Sequence, residues 1–582
     1  MTRQSHEAPR QGEYGRGDNE DPAVRTAAAT AFAAGARALG LVVLPLFVLN
    51  LLLTFGNEWP TLWPRLEWRL STELAALLVA LAIWIGWRGA LGQRMLGALA
   101  ALGSTWVVMH YINVTVPSIF GRRLNAYWDS QHLWAVIKMS VENKAFATAL
   151  TLIVAGLALA LLYAIVRLCM LPLVRAAEHD LTRRLLLFLG LAVCALSVAQ
   201  PWQPERLRPL LAPPVSALLA EQSRLLVLAL SADAQGGGLG PGPVFSGTVD
   251  ALGGADVLIV FAEAYGAITF DKPDIAEALA PSRAQLAAAI AAGDRHVVSA
   301  RLVAPTFGGA SWLSHASLLA GMDTRDPRNY QQLLASSRPS LVSHFAANGY
   351  RSVGWLPGIQ RAWPEGAFYA FDRYADAERI GYEGPHFGFW RIPDQASMAL
   401  IHHQEFGKDF SALPASQQEA GPRHRQPRLV VFPTVTTHAP FRALPPFTAD
   451  WSRLLGADAY TIDERDAAEG VAVAWSNPTP AYLASMRYQF DWLADYLGRH
   501  APADLFTIIV GDHQPIGSVT GPNQPWDVPI HIVSHNRRLL APFEAAGFVP
   551  GLVPPATPFG PMHAITPLLI EAFASPPRSE ER

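Results

Sequence analysis

Asp256-Val257-Leu258-Ile259-Val260-Phe261-Ala262-Glu263 decides how the larger part of this chain folds. It is an apolar run of strand length with no alternation, the pattern of a strand covered on both faces. A strand with one wet face would alternate apolar and polar residues. Similar short runs recur at Val297–Val303, Leu429–Phe432, Leu505–Val510 and Val528–Val533. Helical patterns lie between them, at Ile275–Ala292, Trp312–Leu319, Ser340–Asn348, Asp394–Phe406 and Ala481–Tyr496. Strands alternating with helices predict an α/β domain over 254–575, with a mostly parallel sheet and helices on both faces. Chemistry in such sheets gathers at the carboxyl ends of the strands.

The first run ends in Ala262-Glu263-Ala264-Tyr265-Gly266. A carboxylate there suits a metal ligand, or an acid in the first turn of a helix. Leu505–Val510 ends in Gly511-Asp512-His513-Gln514-Pro515, which offers an oxygen and an imidazole to one divalent cation, or else makes a polar turn. Between them, Thr306-Phe307-Gly308-Gly309-Ala310-Ser311-Trp312 is a glycine turn opening an apolar helix. Ser311 is either an ordinary N-cap or a hydroxyl placed where helix N–H groups favour an anion. A bare serine is a poor nucleophile near neutral pH, and a cation on its oxygen supplies the activation. Leu429–Phe432 leads to Thr436-Thr437-His438. His438 is structural, or it binds a phosphoryl oxygen or protonates a leaving group. Together the four motifs explain one another better than each explains itself.

Upstream the chain reads as if written for another solvent. Over 582 residues the mean hydropathy is +0.18 and only 16% are charged, and the apolar excess falls before residue 202. Apolar stretches at Leu39–Phe55, Leu74–Trp87, Met95–Val114, Ala145–Val166 and Leu185–Ala199 predict five transmembrane helices in a domain over 31–202. The first is too long and too far from the start for a simple cleaved signal. Residues 1–30 are polar and predict a disordered cytoplasmic tail. Arg3, Arg10, Arg16, Arg25, Arg37, Arg88, Arg94, Arg167, Arg175, Arg183 and Arg184 fall on one side of these spans. Fewer cations fall on the other, which puts the α/β domain outside. Pro117–Lys144 reads as a segment in the headgroup layer or as a plain connector with aromatic anchors. Residues 203–253 read as a linker, with a short helix over Ser216–Leu230 and a flexible hinge at Gly236–Pro243. A net charge of −3 and the lack of a basic run argue against nucleic acid. Cys169 and Cys194, the only cysteines, leave no disulfide framework or thiolate site after residue 202.

The order Glu263, Ser311, His438, Asp512-His513 resembles the alkaline phosphatase/sulfatase superfamily. Five spans before a cysteine-free external domain resemble its lipoteichoic acid synthase-like branch, with the phosphoethanolamine transferases as near neighbours. The resemblance implies that Glu263, Ser311, Asp512 and His513 hold one Mn or Zn ion and that Ser311 is the nucleophile. It implies that His438 lies near the substrate phosphate. Phe387-Gly388-Phe389-Trp390-Arg391-Ile392-Pro393-Asp394 is similar to a headgroup-site stretch of the branch, which implies substrate binding by Trp390 and Arg391. Two features depart from the branch. Its usual nucleophile is Thr, so Thr306 stands as the alternative to Ser311. The phosphoethanolamine transferases carry disulfides that this chain lacks. A formylglycine sulfatase is excluded, because Ser311 is followed by Trp312, Leu313, Ser314 and His315, without the required Pro and Arg. The expectation is a transferase moving a phosphoglycerol or phosphoethanolamine group from a membrane phospholipid to an envelope glycan or lipid, through a covalent Ser311 intermediate, on the outer side of a bacterial cytoplasmic membrane. A membrane-bound phosphatase or phosphodiesterase, or a non-catalytic scaffold on the same fold, are the alternatives.

Overall fold

The computed structural model describes residues 40, 42–59, 61–123, 125–130, 137, 145–199, 210–230, 239–360, 363–407, 425–472, 474 and 477–574. The polar stretch 1–30, most of 131–144 and the glycines 236–238 lie outside the described residues. Two compact units are present: 1–55, 66–108 and 156–214 form one, and 56–65, 109–155 and 215–582 form the other.

Apolar helices make up the first unit. The helices before the sheet are α1 (Val42–Thr54), α2 (Thr72–Arg88), α3 (Gln93–Phe120), α4 (Ala126–Ser130), α5 (Ala145–Ala177), α6 (Asp180–Val198) and α7 (Val215–Leu230), of which α4 and α7 belong to the second unit. Ser71 caps α2 by accepting from the Leu74 amide at 3.2 Å. Leu78, Leu81 and Ile85 of α2 pack with Val166, Met170 and Leu173 of α5 and Leu186 of α6. Gly190 of α6 lies so near α2 that an added Cβ would fall 2.7 Å from the Ala75 carbonyl oxygen.

Three helices are long and apolar enough to cross a membrane: Gln93–Phe120, Phe146–Ala177 and Asp180–Val198. This corrects the expectation of five. The runs at Leu39–Phe55 and Leu74–Trp87 do form helices, but α2 has 17 residues and α1 fewer. At about 1.5 Å per residue, 17 residues span about 25 Å against a hydrocarbon core of about 30 Å. The longest span presents Leu150, Ile153, Leu157 and Leu161 outward, an apolar surface with no protein cover.

The second unit holds a nine-stranded sheet. Its strands are β1 (Val257–Ala262), β2 (His296–Val303), β3 (Arg351–Leu356), β4 (Arg373–Asp376), β5 (Arg428–Pro433), β6 (Phe506–Gly511), β7 (Asp527–Ser534), β8 (Val549–Pro550) and β9 (Gly560–Pro561). The spatial order is β8-β2-β7-β6-β1-β5-β3-β4, with β9 beside β2. The block β4-β3-β5-β1-β6 is parallel throughout, and β7 reverses against both β6 and β2. The sheet is therefore mixed at one side.

All six residues of β1 are buried, because both faces are covered. Leu258, Val260 and Ala262 pack under α8 (Pro273–Ala292), α10 (Asp394–Gln404) and α11 (Thr479–Asp495). Val257, Ile259 and Phe261 face the other way, toward α9 (Ser311–Ala320) and α12 (Ile565–Phe573). Each fully buried Val, Leu, Ile or Phe contributes roughly 2 kcal/mol, so the two-sided strand anchors both layers. The strands β3 and β4 are absent from the sequence reading. Arg351-Ser352-Val353-Gly354-Trp355-Leu356 interrupts its apolar residues with Arg, Ser and Gly, which hides the run.

The glycine-rich linker is described over its last part. Over the described part, 239–243, it is held down: Arg338 donates to the Leu239 carbonyl at 2.7 Å. Pro243 packs so close to Gly321 that a Cβ there would meet its Cγ at 2.4 Å. The helix predicted over Ser216–Leu230 is present as α7.

Candidate active site

Strands β1 and β6 are parallel neighbours, with Phe261 opposite Val510 and Ala262 opposite Gly511. The residues that follow them, Glu263 and Asp512, must therefore emerge side by side. Gly511 makes the closeness possible, since a Cβ there would stand 1.9 Å from the Tyr265 carbonyl oxygen. The Asp512 carboxylate ties the two strand ends by accepting from the Ala264 amide at 2.8 Å and from the His513 amide at 2.7 Å.

Glu263 is braced from behind by residues the sequence reading did not single out. Its amide donates to Thr434 Oγ1 at 2.9 Å, and its carbonyl accepts from the Thr437 hydroxyl at 2.6 Å. The Gln489 amide sits behind both threonines.

Ser311 is the first residue of α9. The chain reaches it through three residues with positive φ: Gly308 at 65°, Gly309 at 141° and Ala310 at 63°. Only glycine adopts this region freely, so the two glycines suit the turn and Ala310 carries about 1 kcal/mol of strain. The turn aims Ser311 Oγ inward. Its hydroxyl donates to Glu263 Oε2 at 3.0 Å, and His513 Nε2 is 3.1 Å away. Thr306 does something else: it is buried, and its hydroxyl closes the turn by donating to the Gly309 carbonyl at 2.7 Å. The Ser314 hydroxyl, one turn on, donates to the Asp512 carbonyl.

His513 Nδ1 lies 2.7 Å from the Gln514 carbonyl oxygen and must donate to it. In the neutral ring Nε2 then bears a lone pair, facing Glu263 Oε1 at 3.4 Å and Asp512 Oδ2 at 3.7 Å. Ligand atoms of Glu263, Asp512 and His513 all lie within 4.8 Å of one another, and all three residues are buried. Two carboxylates and an imidazole converging in this way match the donor set of a Zn- or Mn-type cation. The electrostatics make the same demand. Burial opposes the Glu263 charge, yet His438 and His513 outweigh it and hold that carboxyl below the usual range. Burial and then the Glu263 charge push Asp512 up. Burial would depress His513, but the Asp512 and Glu263 carboxylates outweigh it and raise it. The pocket draws in positive charge.

His438 follows β5 and is half-buried, with Nδ1 2.7 Å from the Ala439 carbonyl oxygen. The Trp390 ring lies against it, with centroids 4.4 Å apart. The loop carrying His438 is pinned by Asp394, another residue outside the sequence reading's site. Its buried carboxylate accepts from the Val435 and Thr436 amides at 2.8 and 2.9 Å. An Asp directly after Pro393 at a helix start was the available signal. Arg391 is set apart. Its backbone, at φ 64°, closes a tight loop onto Phe387, and among the described residues its side chain makes no hydrogen bond to Glu263, Ser311, Asp512 or His513. His315, one turn after Ser311, lies tilted against Phe261 with ring centroids 4.4 Å apart, and burial holds it down to about 4.

No protein-family model matches this chain, and no curated protein matches it. Solved structures do. The lipoteichoic acid synthase LtaP from Listeria monocytogenes is 13% identical, with 59% of this chain and 79% of that one covered and a TM-score of 0.34. An alkaline phosphatase superfamily protein from Vibrio parahaemolyticus is 12% identical over 58% and 69%, with a TM-score of 0.33. The C-terminal periplasmic domain of EcEptC from Escherichia coli is 10% identical over 51% and 74%, with a TM-score of 0.30. These likenesses are distant.

Proposed function

We propose that the chain is a membrane-anchored, metal-dependent transferase that moves a phospho-headgroup, of phosphoglycerol or phosphoethanolamine type, from a phospholipid to a hydroxyl of an envelope glycan or lipid. One observation carries the reading: a serine hydroxyl at a helix start is shared between Glu263 and His513, beside Asp512. Glu263, Asp512 and His513 would hold the ion, Mn or Zn, with Ser311 at its edge. When bound, the ion neutralises charge on the phosphoryl oxygens and lowers the pKa of the serine hydroxyl.

The residues supply the rest. Ser311 Oγ forms a bond to phosphorus as the bond from phosphorus to the diacylglycerol oxygen breaks. The serine proton is released to water as the hydroxyl ionises. His438 Nδ1 is turned to Ala439, so Nε2 is the nitrogen free to protonate the departing oxygen. In the second half the acceptor hydroxyl attacks the Ser311 ester, gives its proton to His438 Nε2, and Ser311 regains its own. The amide groups at the start of α9 favour the anionic group in both halves. Trp390, packed against His438, and Arg391 are proposed to meet the headgroup.

The anchor fits a lipid donor. The proposed topology uses the three long spans, an odd number, and so sets the α/β unit on the outer face of a bacterial cytoplasmic membrane. The excess of arginine at the opposite ends supports it. Full-length protein in detergent tests the reaction. Wild type with Mn or Zn is expected to release diacylglycerol from phosphatidylglycerol or phosphatidylethanolamine, and Ser311→Ala to lose about 1,000-fold or more. Release by Ser311→Ala at the wild-type rate would sink it. Headgroup found on added acceptor identifies a transferase, and free phospho-headgroup a hydrolase.

A further inference from the structure

The loop that carries Ser311 packs on the end of α3. Residues 109–121 belong to the same compact unit as the sheet. Although α3 is apolar enough to cross a membrane, Thr115 and Ser118 in its last turns are buried in protein. Three glycines mark the contact, from three separate segments. A Cβ on Gly121 would lie 2.1 Å from Phe307 Cε1. One on Gly308 would lie 2.2 Å from the Phe120 carbonyl oxygen. One on Gly517, four residues after His513, would lie 2.8 Å from the Gly121 amide nitrogen. Heavy atoms of real side chains do not approach so closely, so each glycine is the condition of the packing. Phe307 is 1% exposed and fills the space against Gly121. The Gly308 amide also donates to the Gln514 carbonyl at 3.1 Å, the same oxygen that orients His513. The end of α3, the Ser311 turn and the segment after His513 therefore form one packed knot.

We infer that Phe120 and Gly121, at the end of α3, are positioning residues for the nucleophile: they hold the turn Thr306–Ala310 so that Ser311 Oγ meets Glu263 and His513. The inference rests on the reaction proposed above, and it goes further in assigning part of the active-site geometry to the end of a membrane helix. The turn needs such a prop. It strings together three positive-φ residues, and among its own hydrogen bonds is the Thr306 clasp. A strained turn persists only where its surroundings over-determine it.

Two variants of the full-length protein test this from opposite directions. Gly517→Ala needs no unusual φ, so its methyl acts only by pushing the 118–121 turn away. Phe307→Leu loosens the same contact by removing the ring. Gly470→Ala, at a helix end with open space around it, is the control. Three quantities are read: amide hydrogen exchange of residues 306–311, bound metal, and steady-state kinetics with phosphatidylglycerol or phosphatidylethanolamine. Both variants are expected to raise exchange in 306–311 and to lower kcat by about tenfold or more, since misplacement by about an ångström carries such a penalty. Metal content and KM are expected to stay at the wild-type level. Unchanged exchange in both variants, or raised exchange with unchanged kcat, overturns the inference. A wild type without metal-dependent turnover would remove the proposed reaction alone, and the exchange of 306–311 would then decide the positioning.

Discussion

A hydroxyl flanked by a carboxylate and an imidazole needs a third partner to become a nucleophile, and Asp512 is where that need is felt. It is buried beside Glu263, and the two carboxylates repel unless positive charge joins them. Asp512→Asn keeps the shape and removes one charge. It is expected to weaken Mn or Zn binding at least about tenfold, read by metal analysis after dialysis. Ser311→Ala should retain the ion, which separates holding the metal from using it. A second buried histidine makes a different prediction. His531 on β7 has Nδ1 2.6 Å from Ser299 Oγ and Nε2 3.0 Å from the Tyr265 hydroxyl. Ser299 donates to the Gly551 carbonyl, so it accepts from Nδ1–H and the ring is neutral. Burial holds the His531 pKa down to about 3, against 6.5 in its absence. Between these values the unfolded chain binds a proton that the folded one refuses, so stability falls as pH falls. At pH 5 the loss is about 2 kcal/mol. His531→Gln should flatten the fall of the melting midpoint between pH 6.5 and pH 4.5, while lowering the midpoint at neutral pH.

At the scale of elements, the site depends on β1 and β6 staying in register through Ala262 and Gly511. Gly511→Ala would force a methyl into the Tyr265 carbonyl, and the strand ends would part. Overpacking of this kind costs about 1–3 kcal/mol, and parting the ends also separates Glu263 from Asp512. The variant is expected to lower both the melting midpoint and metal occupancy, whereas Asp512→Asn should affect occupancy far more than the apo midpoint. Equal effects of both substitutions on both readouts would speak against register as the cause. The Glu263, Asp512 and His513 motifs were legible because each follows an apolar run that could only be a buried strand. Thr434, Thr437 and Asp394 were not, because their role is to hold backbone that belongs to distant segments. A threonine 171 residues away in the chain carries no mark of its partner.

For the whole molecule, the proposed metal would be a folding ligand of the second unit as well as a reagent. A ligand at about a hundred times its Kd adds about 2.7 kcal/mol to the folded state. A chelator is therefore expected to lower the melting midpoint of the full-length protein by several degrees, with recovery on adding Mn or Zn. The same treatment should move the midpoint of Asp512→Asn by about half as much or less. The three long apolar helices, with outward faces of Leu, Ile and Val, call for detergent or bilayer in every such measurement.

Sequence by itself determined the central strands and the long apolar helices. Unbroken apolar runs meant two-sided strands, long apolar runs meant helices long enough to cross a membrane, and polar residues at strand ends marked the candidate site. These follow from local rules: burial on two faces leaves no polar position, and hydrocarbon accepts few charges. Which hydroxyl meets the cluster was left between Ser311 and Thr306, and the positive-φ turn decided it by aiming one inward and tying the other to Gly309. Tertiary structure alone brought Gly121, Gly308 and Gly517 together and pinned Leu239–Pro243 against Arg338 and Gly321. Contacts between segments hundreds of residues apart are set by packing density, which no local pattern encodes.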